Sequence, residues 1–134
     1  RDDTILHPEI GLIFDGASFC IAHAATTDDL YTRQFYYVTN YFDALCFART
    51  RVWLQCQYPK RDIKSGFAFE DWTWNLDTEL AGYLHTYLTD TIIFKRRREM
   101  SKTHESRRAN ACIRAHPLLY ADRVCNTIAT TGFY

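Results

Sequence analysis

Two long stretches of this 134-residue chain lack both glycine and proline, Ala17 to Tyr58 and Tyr83 to His116. Sheet proteins need many tight turns, and those turns draw on glycine and proline. With five Gly and three Pro in all, the chain reads as all-α, a long helical hairpin with irregular, aromatic-rich N-terminal and connecting segments. An α+β fold is the alternative.

The first stretch predicts a helix over 28–57. Thr26 or Thr27 caps its first turn, and Asp28 and Asp29 face the positive end of the helix dipole. Leu30, Phe35, Val38, Phe42, Leu45, Val52 and Cys56 recur near helical spacing, and Tyr58 before Pro59 stops the helix. Residues 50–58 also alternate as a half-buried strand would, which keeps helix and strand both open there.

Before this helix, 1–27 reads as a docking arm that tucks Ile10, Leu12, Ile13 and Phe14 onto the body. After it, 58–76 reads as a loop and aromatic strap containing Phe67, Phe69, Trp72 and Trp74, with helix and strand both open over 67–76. Asp77-Thr78-Glu79 opens a second helix over 77–115, with Leu80, Leu84, Tyr87, Leu88, Ile92 and Phe94 on one stripe. A break near 101 is marked by Ser101 or Thr103 as a fresh cap, and a short last helix is expected over 117–129, with Pro117 at its first position. A chain of this length forms one domain, 1–134, with a core that needs no disulfide.

The formal net charge is zero but unevenly placed: residues 1–90 hold 7 basic and 13 acidic side chains, and residues 91–134 hold 9 and 3. Lys95, Arg96, Arg97 and Arg98, with Arg107 and Arg108, form a candidate basic interaction patch. The aromatics that stack on bases are not interleaved with it, so nucleic acid is not the expected partner. Aromatics make up 16% of the chain, more than a small interior readily hides, and such side chains are common interface anchors. No apolar run approaches the roughly 20 residues of a membrane helix.

The chemistry-bearing residues form no strong motif. Cys20 with His23, and Glu9 with Asp15, are the nearest to catalytic pairs, yet neither comes with an orienting group or oxyanion donor. His104, Cys112, His116 and Cys125 offer zinc-binding atoms without the compact Cys-x-x-Cys spacing. No catalytic, cofactor or metal site is therefore expected, and the chain reads as a non-enzyme.

Cys46 and Cys56 are ten positions apart. On a straight helix that is about 15 Å, beyond the roughly 7 Å Cα limit for a disulfide. Each then needs a partner elsewhere, for which Cys112 and Cys125 are the candidates, leaving Cys20 over. A cysteine pair separated by nine residues on a helix resembles one arm of the coiled-coil-helix-coiled-coil-helix proteins of the mitochondrial intermembrane space. Arg108-Ala109-Asn110-Ala111-Cys112, then Tyr120 and Cys125, is similar to the cysteine segment of the PDSW-type accessory subunits of the NADH dehydrogenase complex. The resemblance implies a disulfide-clamped, non-catalytic accessory subunit on the intermembrane-space side of a respiratory-chain complex, peripheral to the membrane, whose partners are other protein subunits. A secreted, disulfide-stabilised binding protein or effector is the alternative.

Overall fold

A computed structural model describes residues 4–16, 18–98 and 100–119. The fold is α+β, not all-α. Strand β1 (Thr4–Phe14) lies between β2 (Phe19–Ala22), antiparallel to it, and β3 (Leu84–Arg96), parallel to it. Three short helices, α1 (Thr50–Gln55), α2 (Glu70–Leu80) and α3 (Lys102–Arg108), and two 3-10 turns complete the described elements.

The expected docking arm is in fact the central strand. Its proline is accommodated because the β2 ladder begins only at Ile10. At Pro8 the neighbour on that side is the His23 ring, whose Nδ1 reaches the Pro8 carbonyl at 2.5 Å. A proline removes only a donor, and here no strand asks for it.

The expected helix over 28–57 is replaced by a 3-10 turn at Arg33–Tyr37 and by α1, joined by irregular chain. Aromatic and β-branched residues such as Thr32, Tyr36, Val38, Thr39, Tyr41 and Phe42 lose side-chain freedom in a helix. Short polar side chains also take backbone donors there: Asp28 accepts from Ala25 N–H, Asn40 from Phe42 N–H and Asp43 from Leu45 N–H, which competes with helix hydrogen bonds. The presumed apolar stripe is not the buried set, since Phe42 and Val52 are enclosed while Leu30, Val38, Phe35 and Leu45 are exposed.

The second expected helix is split. Residues 70–80, read partly as strap, form α2, with Glu70 and Asp71 in its first turn. Gly82, at φ 89°, takes the left-handed position that ends it, a conformation glycine adopts without a Cβ clash. Leu84–Arg96 is then strand, in keeping with its β-branched Thr86, Thr89, Thr91, Ile92 and Ile93. The Ser101 start is seen: its hydroxyl accepts from His104 N–H at 3.2 Å and opens α3. That helix ends at Arg108, not 115, and most of the expected 117–129 helix lies outside the described residues.

Helix α2 joins two apolar clusters. Its Leu76 packs with Tyr36, Phe42, Leu118 and Leu119, and its Trp74 packs with Ile5, Val52 and Tyr83. These contacts fix the Ile5–His85 end of the sheet against the helices. The other end, beyond Glu9, exposes apolar side chains, while Lys95 there shares a pocket with α2 and α3.

Candidate functional site

At that far end β1 and β3 stop pairing one for one. Pro8 is opposite Leu88 and Ile10 opposite Ile92, so Thr89, Asp90 and Thr91 bulge against the single residue Glu9. Asp90, at φ 61°, donates its N–H to the Glu9 carboxylate at 2.7 Å, and Glu9 N–H donates to Thr91 Oγ1 at 3.0 Å. Glu9 therefore clamps a bulge. Asp15 instead pairs with Arg96 at 2.6 Å, and the two carboxylates do not act together.

Beyond the bulge the ladder becomes regular, and paired residues share a face. One face carries Ile10, Leu12, Cys20, Ile92 and Phe94; the other carries Ile13, Phe19, Ile21, Ile93 and Lys95. Both faces show apolar side chains to solvent: Phe94 is 70% exposed, Ile92 54%, Phe19 43% and Ile21 37%. Contiguous apolar surface of this kind marks an interaction site more often than an ordinary exterior.

The outer edge of β3 is open along this stretch. Near its start it is closed by Thr26, whose N–H donates to the His85 carbonyl at 2.8 Å while His85 N–H donates to Thr26 Oγ1 at 3.1 Å. At its end Arg97 N–H donates to the Phe14 carbonyl at 2.8 Å, toward β1. Strand alternation then turns the backbone groups of Ile92, Phe94 and Arg96 outward, and among the described residues none of them has a backbone partner there.

Part of the expected basic patch is tied up within the chain. Lys95 is held by Asp43 at 2.5 Å and Arg96 by Asp15. Arg97 and Arg98 follow the strand end, while Arg107 and Arg108 sit on the last turn of α3. Arg61 ties α3 down, contacting Glu105 at 3.0 Å, Ser106 Oγ at 3.0 Å and the Lys102 carbonyl at 2.8 Å.

Three histidines form a buried group about Phe42, a grouping that sequence spacing did not signal. His7 Nε2 lies 2.9 Å from His85 Nδ1, and His85 Nε2 lies 2.9 Å from Thr78 Oγ1. The Thr78 hydroxyl also reaches the Trp74 and Asn75 carbonyls, at 2.8 and 3.0 Å, so the two rings and Thr78 form one buried hydrogen-bonded chain. Burial holds both rings neutral, and His7 Nδ1 is buried without a hydrogen-bond partner. His23 donates from Nδ1 to Pro8 and accepts at Nε2 from Asp43 N–H at 3.2 Å. Fully engaged within the core, His23 does not serve the exposed Cys20 as a base. The arrangement organises a polar core.

Several surface pockets contain titratable groups, and two of them take in residues singled out in the sequence. One, of about 410 Å³, includes Tyr58, Asp71, Lys95 and Lys102. Burial raises the Asp71 pKa, and nearby Glu70 and Asp43 add to this against Lys95. Another, of about 370 Å³, includes Trp72, Cys112, Arg114 and His116. Here His116 contacts Asp77 at 3.1 Å and Arg114 stacks on Phe67 at 4.0 Å.

The cysteines correct the clamp. Cys46 lies in irregular chain and Cys56 just after α1, so no helix carries the pair. Cys20, Cys46, Cys56 and Cys112 are free thiols; Cys125 lies outside the described residues. Burial, then Asp43, pushes the Cys46 thiol up to about 12, and thiolate is the reactive form. Brief iodoacetamide treatment of the native chain is expected to label the exposed Cys20 and Cys112 and to spare Cys46 until denaturant is added. Ready native labelling of Cys46 in a peptide mass map would contradict this packing. Of the zinc-binding atoms noted in the sequence, Cys112 points to the Gly66 carbonyl at 3.7 Å and His116 to Asp77. Among the described residues no three His, Cys, Asp or Glu side chains are placed to hold a metal ion, and no helix is long and apolar enough to cross a membrane.

No family model, no curated protein and no solved structure matches the chain.

Proposed function

We propose that this chain is a non-catalytic interaction protein, an accessory subunit that docks into a larger protein assembly through the far end of its sheet. The observation that carries this reading is the exposure of Phe19, Ile21, Ile92 and Phe94 on two faces of one regular sheet. Covering such side chains stabilises a complex by roughly 25 cal/mol per Å² of apolar surface removed from water. The intermembrane-space and secreted settings were both tied to disulfide-bonded cysteines. With the four described cysteines free, neither setting forms part of the proposal.

The test is the apparent mass of the native protein in a gentle extract of its own cells. It is expected to run well above twice the 15.8 kDa of the chain. A Phe19→Ser/Ile21→Ser variant, altered on β2 away from the β3 edge, is expected to shift to lower mass. A wild-type protein that runs at chain or dimer mass in the extract would end the subunit reading.

A further inference from the structure

The open edge of β3 is self-complementary, and we infer that a second copy of this chain occupies it, the two β3 strands pairing antiparallel about a two-fold axis at Phe94. The inference rests on reading the sheet end as a docking surface, and it names the partner at one edge of it.

The available ladder is short. Thr26 closes the edge at His85, and the bulge at Asp90 interrupts it, so Ile92, Phe94 and Arg96 are the residues that offer outward backbone groups. A two-fold axis at Phe94 brings these groups opposite one another: Phe94 faces its own copy, and Ile92 faces the copy of Arg96. The two pair without a slip, extending the three-stranded sheet to six strands. Phe94, the most exposed large hydrophobic of the strand at 70%, then forms a cross-strand aromatic pair at the axis, a favourable contact in antiparallel sheets.

Charge selects this register over its neighbours. With the axis at Phe94, Asp90 and Arg98 flank the two ends of the ladder, so each faces the other's counterpart in the second copy, and by symmetry the pair forms twice. Neither residue has an ion-pair partner among the described residues, and Glu9, bound to the Asp90 N–H, adds a second negative charge nearby. An axis at Lys95 or Arg96 would place like charges directly opposite, which is destabilising. An axis at Ile93 would set Asp90 against Arg96, which Asp15 already holds. An isologous contact of this kind closes on itself as a dimer, and the zero formal net charge of the chain places no overall repulsion between copies.

Light scattering on the purified full chain, at several concentrations, tests the inference. The expected mass is twice 15.8 kDa. Phe94→Lys, Asp90→Lys and Arg98→Glu are each expected to shift it toward the single chain, and Asp90→Lys combined with Arg98→Glu is expected to restore the dimer. Circular dichroism checks that each variant is folded. Asp90 sits at a positive φ that favours aspartate over lysine, so Arg98→Glu, just outside the strand, carries the test if Asp90→Lys does not fold. A monomeric wild type overturns the self-pairing while leaving the subunit reading to the extract experiment. A dimer indifferent to Phe94→Lys and Arg98→Glu overturns it as well, by placing the contact elsewhere.

Discussion

Replacing Trp74 with alanine is expected to lower the free energy of unfolding by about 3–5 kcal/mol, the range for removing a large aromatic from a core. Trp74 has no exposed surface. Its ring stacks with both Trp53 and Tyr58, with centroids at 4.5 and 5.2 Å, these two lying 5.7 Å from each other, and it meets His85 edge-on at 6.3 Å. Its Nε1–H donates to the Cys56 carbonyl at 2.7 Å, joining α2 to the end of α1. The deletion thus leaves a cavity among Ile5, Val52 and Tyr83 and strips a partner from the Cys56 carbonyl. Trp72, two positions away, supplies the contrast: its Nε1 is buried without a partner. Trp72→Phe removes an unsatisfied donor and is expected to be neutral or mildly stabilising, because an unpaired buried donor already carries its desolvation cost. Urea unfolding followed by circular dichroism measures both. Equal losses for Trp74→Ala and Trp72→Phe would show that the stacked cluster does not anchor the fold.

These tryptophans also show how much of the structure was legible in the sequence. The local signals that were read well are those a few neighbouring residues complete by themselves. Ser101 opens a helix because its own hydroxyl reaches His104 N–H three residues on. The segment from Pro59 to Gly66 is a connecting loop with one 3-10 turn, closed by the Asp62–Phe67 bridge. The sheet was missed because its decisive pairings are remote: β1 depends on β3, some 80 residues later, for its longer ladder. Leu84, Leu88 and Ile92 fall at helical spacing, yet in a strand that steps through a bulge the same residues meet quite different neighbours. Gly82 was read as a weak helix position, whereas its left-handed backbone ends α2 and releases β3. The histidine group was illegible for the same reason, since residues 7, 23 and 85 meet only once the parallel pairing is formed. Of the candidate site, the surplus of exposed aromatics was legible and its location was not. The basic run drew attention to the end of β3, although two of its four charges are neutralised within the chain.

Acidification to about pH 4.5 is expected to cost the fold roughly 5 kcal/mol, because two of these histidines are buried neutral. Burial, with His85 and His23 alongside, lowers the His7 pKa to about 2 against its ordinary 6.5, the Leu45 backbone opposing only slightly. Burial alone lowers that of His85 to about 3. In the unfolded chain both rings gain protons as the pH falls through 6.5; in the folded chain they stay neutral until far lower. The unfolded state therefore binds more protons throughout this window, and stability falls with falling pH by about 1.4 kcal/mol per unit for each ring. The contribution is fully present above pH 6.5 and is lost progressively below it. Asp71 acts with the opposite sign: its raised pKa means that the folded state takes up its proton first, which offsets part of the loss near the lower end. A small domain has only about 5–15 kcal/mol in hand, so unfolding is expected in mild acid, before most carboxylates are protonated. Urea midpoints measured between about pH 7.5 and 4.5 should fall steeply for the wild type and much less for His7→Phe/His85→Leu, in which the Thr78 hydroxyl still bonds to Trp74 and Asn75. A wild-type midpoint that stays level from pH 7.5 to 5 would mean that the two rings are not held neutral by the core, and the hydrogen-bonded chain through Thr78 would fall with it.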